Sequence, residues 1–187
     1  MGLIDTVNEW AMEAGLIEEP VDSESICTKM DLIRVLWFRN CRPEYKADAL
    51  TTKIKDVSKE DIYAALWAYK KGISALDAQK NFKPDTQLTH GDVLQTLWFV
   101  NGKPVVSNEI TGFVDLDTSS TYYIAVLWAA DQKLLIKDEK ANFDGSAACR
   151  MIDALRYVYY LYHVRSTFPI TKTQFLEACE GVTVQAR

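Results

Sequence analysis

One short pattern occurs three times along this chain. Trp10-Ala11-Met12-Glu13-Ala14-Gly15-Leu16, Trp67-Ala68-Tyr69-Lys70-Lys71-Gly72-Ile73 and Trp128-Ala129-Ala130-Asp131-Gln132-Lys133-Leu134 begin 57 and 61 residues apart. Each reads as the closing turns of a helix. An apolar Trp-Ala pair leads into a polar stretch, a Gly follows at the turn in two copies, and an apolar residue then packs back. A fixed period of this size predicts stacked supersecondary units and constrains the fold before any single residue does.

The other half of each unit recurs as well. Thr28-Lys29-Met30-Asp31 and Thr89-His90-Gly91-Asp92 each open an apolar helix that reaches a Trp, at Trp37 and Trp98. Asn40-Cys41-Arg42-Pro43 then answers Asn101-Gly102-Lys103-Pro104, and Ile54-Lys55-Asp56-Val57 answers Phe113-Val114-Asp115-Leu116. The unit is a helix, a loop with an extended piece, a capped helix, a Pro turn and an acidic lead-in to the next helix. A third copy is more divergent: after Phe143-Asp144-Gly145 comes Cys149-Arg150-Met151-Ile152, where Cys149 takes the place of the Thr and the acid is either missing or displaced to Asp153. Near the end, Phe168-Pro169-Ile170-Thr171-Lys172-Thr173-Gln174 repeats the helix opening without a Trp-Ala helix before it, as a closing cap would.

This order of features resembles three S-layer homology repeats, whose hallmark is an aromatic or Pro-containing lead followed by Thr-Arg-Ala-Glu at a helix start. The best local match is Phe82-Lys83-Pro84-Asp85-Thr86-Gln87-Leu88-Thr89-His90-Gly91-Asp92. No copy carries the Thr-Arg-Ala-Glu intact. The resemblance implies a mainly α fold: three helix-loop-helix repeats in a pseudo-threefold bundle, with short extended segments in the loops. The expected limits are a single domain over 1–187, with repeats at roughly 3–50, 54–110 and 113–165 and a half-unit at 166–187. It also implies a non-catalytic module that attaches to anionic cell-wall polysaccharide. In the family the basic residue of the motif faces acidic groups of that polymer. Carried over, this gives Lys29, His90, Arg150 and, in the closing half-unit, Lys172, with Gly91 as the small residue beside them that lets a ligand approach the backbone.

The same residues have a structural reading. Thr28 with Asp31, Thr89 with Asp92, and Thr171 with Gln174 have capping-box spacing, in which hydroxyl and acid or amide satisfy backbone N–H groups reciprocally. The residue after the cap differs, because a cation in the first turn opposes the helix dipole and is not explained by stability. Free N–H groups and a basic side chain would suit an anion there; a solvated surface Lys is the plain alternative. The five Trp fall at helical spacing beside Leu and read as core rather than as sugar platforms. The stretch Tyr157 to Tyr162 is apolar around too much of its helix for a simple surface face: it is either central in the bundle or a contact with another chain.

Composition narrows the function classes. A 48% hydrophobic and 25% charged chain is globular, not disordered. The net charge of −5 argues against nucleic acid. No apolar run is long enough to span a bilayer, so no membrane insertion is expected. Cys27, Cys41, Cys149 and Cys179 lack metal-ligand spacing, and Cys149 and Cys179 read as small buried hydrophobes. His90 and His163 sit in no nucleophile or metal motif, so neither an enzyme nor a cofactor is expected. The start, Met1-Gly2-Leu3-Ile4-Asp5, lacks a signal-peptide profile, and Gly2 with Thr6 fits a loose acylation pattern that a helix start explains better. The expected location is a bacterial surface if the chain is part of a secreted protein, and otherwise the cytoplasm or a virus particle. Two functions stay open: wall-polymer binding, or a structural protein–protein component of a phage particle or intracellular assembly that keeps the scaffold without the glycan site.

Overall fold

The computed structural model describes residues 2–43, 54–106, 112–135 and 142–164. Among them are six α-helices: α1 (Leu3–Glu13), α2 (Lys29–Arg39), α3 (Ile62–Lys70), α4 (His90–Val100), α5 (Tyr123–Asp131) and α6 (Met151–Tyr159). A π-helical turn, Tyr160–Val164, continues α6. The fold is mainly α, and the extended pieces among the described residues are three isolated antiparallel bridges.

The helix boundaries follow local chemistry. Thr28 and Thr89 stand at the N-caps of α2 and α4 with extended backbone. Thr28 Oγ1 accepts from the Asp31 N–H at 3.3 Å while the Asp31 carboxylate accepts from the Thr28 N–H at 3.0 Å. Thr89 and Asp92 repeat this at 3.1 and 2.9 Å. The third opening is shifted by one residue from the sequence expectation. Arg150, not Cys149, is the N-cap of α6, without a side-chain cap hydrogen bond, and Asp153 keeps the acid at the third helical position. Caps at 28, 89 and 150 are thus evenly spaced.

Helix ends are equally local. The Leu16 N–H reaches the Ala11 carbonyl and the Gly15 N–H reaches Met12, the paired bonds of a Schellman turn, with Gly15 at φ 68°. Gly72 does the same after α3, but after α5 the left-handed position falls to Lys133 at φ 56°. The indole N–H groups of Trp37 and Trp98 donate to the carbonyls of Pro43 and Pro104 at 3.1 and 3.0 Å. Each Pro turn is thereby fastened to the helix before it.

A closed ring of backbone hydrogen bonds joins the segments that precede α2, α4 and α6. The Cys27 N–H donates to the Cys149 carbonyl (2.8 Å), Cys149 to Leu88 (2.8 Å) and Leu88 back to Cys27 (2.9 Å). The bridges Ile26 with Arg150, Thr28 with Gln87, and Thr89 with Ala148 flank it in the same cyclic order. Helix packing closes the circle a second time. α2 packs on α3 and α4 on α5, so each capped helix lies against the Trp-Ala helix that follows it, and α6 packs on α1. Covalent order and packing order are out of step by one helix, and the last helix therefore covers the first.

The core fills the centre of this circle. Leu32, Leu36, Val93, Leu97, Leu155 and Val158 come from the three capped helices and are essentially inaccessible. Each such side chain contributes roughly 1.5–3 kcal/mol by burial. Trp67 and Trp128 are buried, and Trp10, Trp37 and Trp98 pack half-buried on the same core. Cys27 and Cys149 are buried free thiols, whereas Cys41 is disulfide-bonded. Thr171, Lys172, Gln174 and Cys179, with the half-unit expected at 166–187, lie outside the described residues.

Candidate functional site

An anion at a helix start needs backbone N–H groups without partners, and the openings of α2 and α4 have none to spare in the first two positions, nor that of α6 in the first. The Lys29 and His90 N–H groups donate to the carbonyls of Thr86 and Ala147 (2.8 and 3.1 Å), and the Met151 N–H donates to Ser25 (2.7 Å). One residue on, the N–H groups of Met30 and Gly91 donate to Pro84 and Gly145 at 3.0 and 2.8 Å. The next N–H goes to the capping Thr in α2 and α4. The loop of the neighbouring segment thus occupies the place where an anion would sit.

The side chains expected to hold that anion are engaged too. Lys29 Nζ donates to the Phe82 carbonyl and lies 4.7 Å from the centre of the Phe82 ring. Burial pulls its ammonium below the usual range. His90 is half-buried, its Nδ1 3.0 Å from the Tyr157 hydroxyl and its ring edge-on to Phe143 and Tyr157. Burial lowers its pKa as well. A Cβ on Gly91 would meet Tyr122 ring atoms at 2.3–2.7 Å, so the glycine admits Tyr122 rather than a ligand. Arg150, placed at the cap and not in the first turn, bonds Asp153 at 2.8 Å and lies 3.7 Å from Glu24. Its guanidinium is held above its usual pKa, chiefly by the Asp153 hydrogen bond.

What remains open is a groove. It runs between the start of α6, at Met151, and the segment joining α1 to α2, and encloses about 910 Å³. Its wall includes Met12, Leu16, Val35, Trp37 and Phe38, so much of it is apolar and part aromatic. Across the rim runs an ion pair that spacing could not reveal. Arg34 of α2 grips Asp61 at the N-cap of α3 with both ends of its fork (Nε–Oδ1 2.7 Å, Nη2–Oδ2 2.9 Å), and Nη1 reaches Asp31 at 3.2 Å. The pairing holds Asp61 below the ordinary carboxylate range and Arg34 above its own.

Equivalent positions elsewhere define two further junctions. One, between the start of α2 and the loop before α4, keeps a smaller pocket of about 220 Å³ lined by Lys29, Leu32, Ser74, Leu88, Gln95 and Thr96. At the other, the positions of Met151 and Val35 are held by His90 and Tyr157, which touch and fill the space. The aromatic stretch enters the core at Tyr157 and continues half-buried from Tyr159 to Tyr162. Tyr157 is buried, Tyr159 meets Trp10 edge-on at 5.2 Å, and the Tyr162 hydroxyl accepts from Asn101 at 2.9 Å.

The two acids of the lead-ins also have work in the frame. The Asp56 carboxylate accepts from the N–H groups of Phe82 and Lys83 (2.9 and 2.7 Å), and Asp115 accepts from Phe143 and Asp144 (2.8 and 2.6 Å). Their recurrence just before α3 and α5 was the visible signal. Each ties a lead-in to the loop that opens the next capped helix.

Residues 53–94 match the family model of the S-layer homology domain. No curated protein matches the chain. The matched segment holds Asp56, α3, the loop that Asp56 fastens, and the capped opening of α4. Over that segment the chain is similar to the S-layer homology domain.

Proposed function

We propose that this chain attaches its bearer to a bacterial surface by holding a wall polysaccharide in the open groove beside Met151. The family match at 53–94 carries the reading, because it supplies the class of partner. The groove supplies a place: a concavity of about 910 Å³ in which apolar and aromatic walls stand beside several ionisable side chains suits a sugar ring. Arg34 is the natural polar anchor, since Asp61 and Asp31 hold its guanidinium in one orientation at the rim. The three units act as repeats of one scaffold in this reading, with one junction specialised for binding. The helix-start residues Lys29, His90 and Arg150 serve the frame instead.

Sedimentation with purified cell-wall polysaccharide tests the proposal. The chain is expected in the pellet, and failure to pellet at any pH or salt concentration would reject wall attachment. The second reading, assembly with other proteins through Tyr157 to Tyr162, has less to rest on. Those rings are engaged by Trp10, His163, Arg39 and Asn101 within the chain.

A further inference from the structure

The hydrogen-bonded ring that precedes the three capped helices has a thiol at two of its three corners. Cys27, Leu88 and Cys149 each stand one residue before the caps at 28, 89 and 150, and Cys27 and Cys149 are free and fully buried. The bridge sets Ile26 opposite Arg150, so antiparallel register sets Cys27 opposite Cys149, and the Cys27 N–H donates to the Cys149 carbonyl at 2.8 Å. Opposed residues in such a pair share a face, with Cα atoms about 5.5 Å apart. A disulfide spans Cα separations of about 4.4–6.8 Å. The two thiols also sit alike, each Sγ 3.5 Å from the carbonyl oxygen of the residue that follows it. Burial raises both thiols, Cys149 up to about 12, and Cys149 adds to the shift at Cys27.

We propose that Cys27 and Cys149 are a cross-link site, at which a disulfide staples the first unit to the third. Neighbouring units are joined by the chain itself, whereas the first and the third meet through the packing of α6 on α1 and through the ring. The two cysteines lie 122 residues apart in sequence, so one bond closes the circle. In the reaction both S–H bonds break and one S–S bond forms. Two protons leave, and a small-molecule disulfide takes up the two electrons and becomes two thiols. The folded thiols are inaccessible and protonated, so exchange takes place while the ring is open, and the bond is sealed once the circle closes. Ser25, Ile26 and Met151, which line the open groove, flank the two cysteines, so the bond also fixes that wall. The inference does not depend on what the groove binds.

The test refolds the reduced full chain in a mixture of reduced and oxidised glutathione, blocks the remaining thiols with N-ethylmaleimide and maps the proteolytic peptides. A peptide joining the Cys27 and Cys149 segments is expected in most of the folded protein. Recovery of both cysteines as blocked thiols, or of either bonded to another partner, would overturn the proposal. A chain carrying Cys41→Ser and Cys179→Ser keeps only this pair and isolates its effect on stability. Its oxidised form should melt about 10 °C above its reduced form, as closing a loop of this length predicts. Adding Cys149→Ala should abolish the difference. Equal midpoints for the oxidised and reduced forms would mean that the bond does not hold the circle, and would overturn the staple even where the bond forms. Sealing is read from rates. Oxidised glutathione should attack the folded, reduced chain at least about tenfold more slowly than the same chain in denaturant. Equal rates would place the thiols in solvent and overturn the proposal.

Discussion

The junction beside Met151 and the junction beside His90 are built on the same backbone frame and end in opposite states. Both place the start of a capped helix against a neighbouring loop, with the first N–H donated to a loop carbonyl: Met151 to Ser25, and His90 to Ala147. In one, Met151 and Val35 leave a groove of about 910 Å³; in the other, His90 and Tyr157 close the space with a 3.0 Å contact. The hydrogen-bonded ring therefore builds a frame, and side chains at two positions decide whether the frame contains a site. Family likeness reports on the frame. Function has to be read from what fills each junction.

The largest expected difference between the two is in stability. Tyr157 is 4% exposed, so Tyr157→Ala should cost about 3–5 kcal/mol, the range for emptying an aromatic-sized core site. Val35→Ala, at the matching position of the open groove, should cost only about 1–2 kcal/mol because fewer atoms are removed. Denaturant midpoints of the two variants measure this directly. Similar losses would mean that Tyr157 is not filling its junction.

Caps come next. Thr28→Ala and Thr89→Ala should each lose about 1 kcal/mol, and by similar amounts, since the reciprocal hydrogen bonds are the same on both sides. A much larger loss at Thr89 would show that the filled junction depends on its cap in a way the intermediate junction beside Lys29 does not.

Acid should weaken the closed junction selectively. His90 is half-buried, and that burial above all holds its folded pKa below the unfolded value of 6.5, with Arg156 and Arg150 adding to the shift and Asp153 and Asp144 opposing it. The unfolded chain takes up the proton first, so stability is complete above about pH 6.5 and falls as pH drops through that value towards the folded pKa. Unfolding curves at pH 7 and pH 5.5 should show the loss, and His90→Gln should flatten it. The depressed carboxylates, such as Asp61, titrate lower and leave this window to His90. An unchanged slope in His90→Gln would place the imidazole in water.

The smallest effect concerns the turns behind the two junctions. Gly15 takes the left-handed position beside the open groove, and Lys133 takes it at the equivalent turn after α5. Lys133→Gly should gain up to about 1 kcal/mol by relieving the φ 56° strain, less the entropy cost of the glycine. Gly15→Ala should lose about as much.

The frame was legible in the sequence because local rules write it. Thr-x-x-Asp at 28 and 89, Gly at 15 and 72, and the recurring Trp are short-range signals that survive into the structure. The divergent third opening misled by one residue. Cys149 looked like the missing Thr, whereas strict spacing from Thr28 and Thr89 points to Arg150, and with it Asp153 returns to register. The site was less legible because its decisive facts are long-range. That loop carbonyls take the N–H groups of Lys29 and His90, that Tyr122 occupies the room beside Gly91, and that Arg34 grips Asp61 all depend on contacts between units. Periodicity within a unit carries no trace of them.

The central claim is that the junction beside Met151 binds and the one beside His90 does not because of what fills them. Val35→Tyr, which copies the filling residue into the open groove, tests it, with Thr96→Tyr at the intermediate junction as the control. In sedimentation with purified wall polysaccharide, wild type and Thr96→Tyr should enter the pellet, while a folded Val35→Tyr should stay in the supernatant. A folded Val35→Tyr that pellets like wild type would contradict the account.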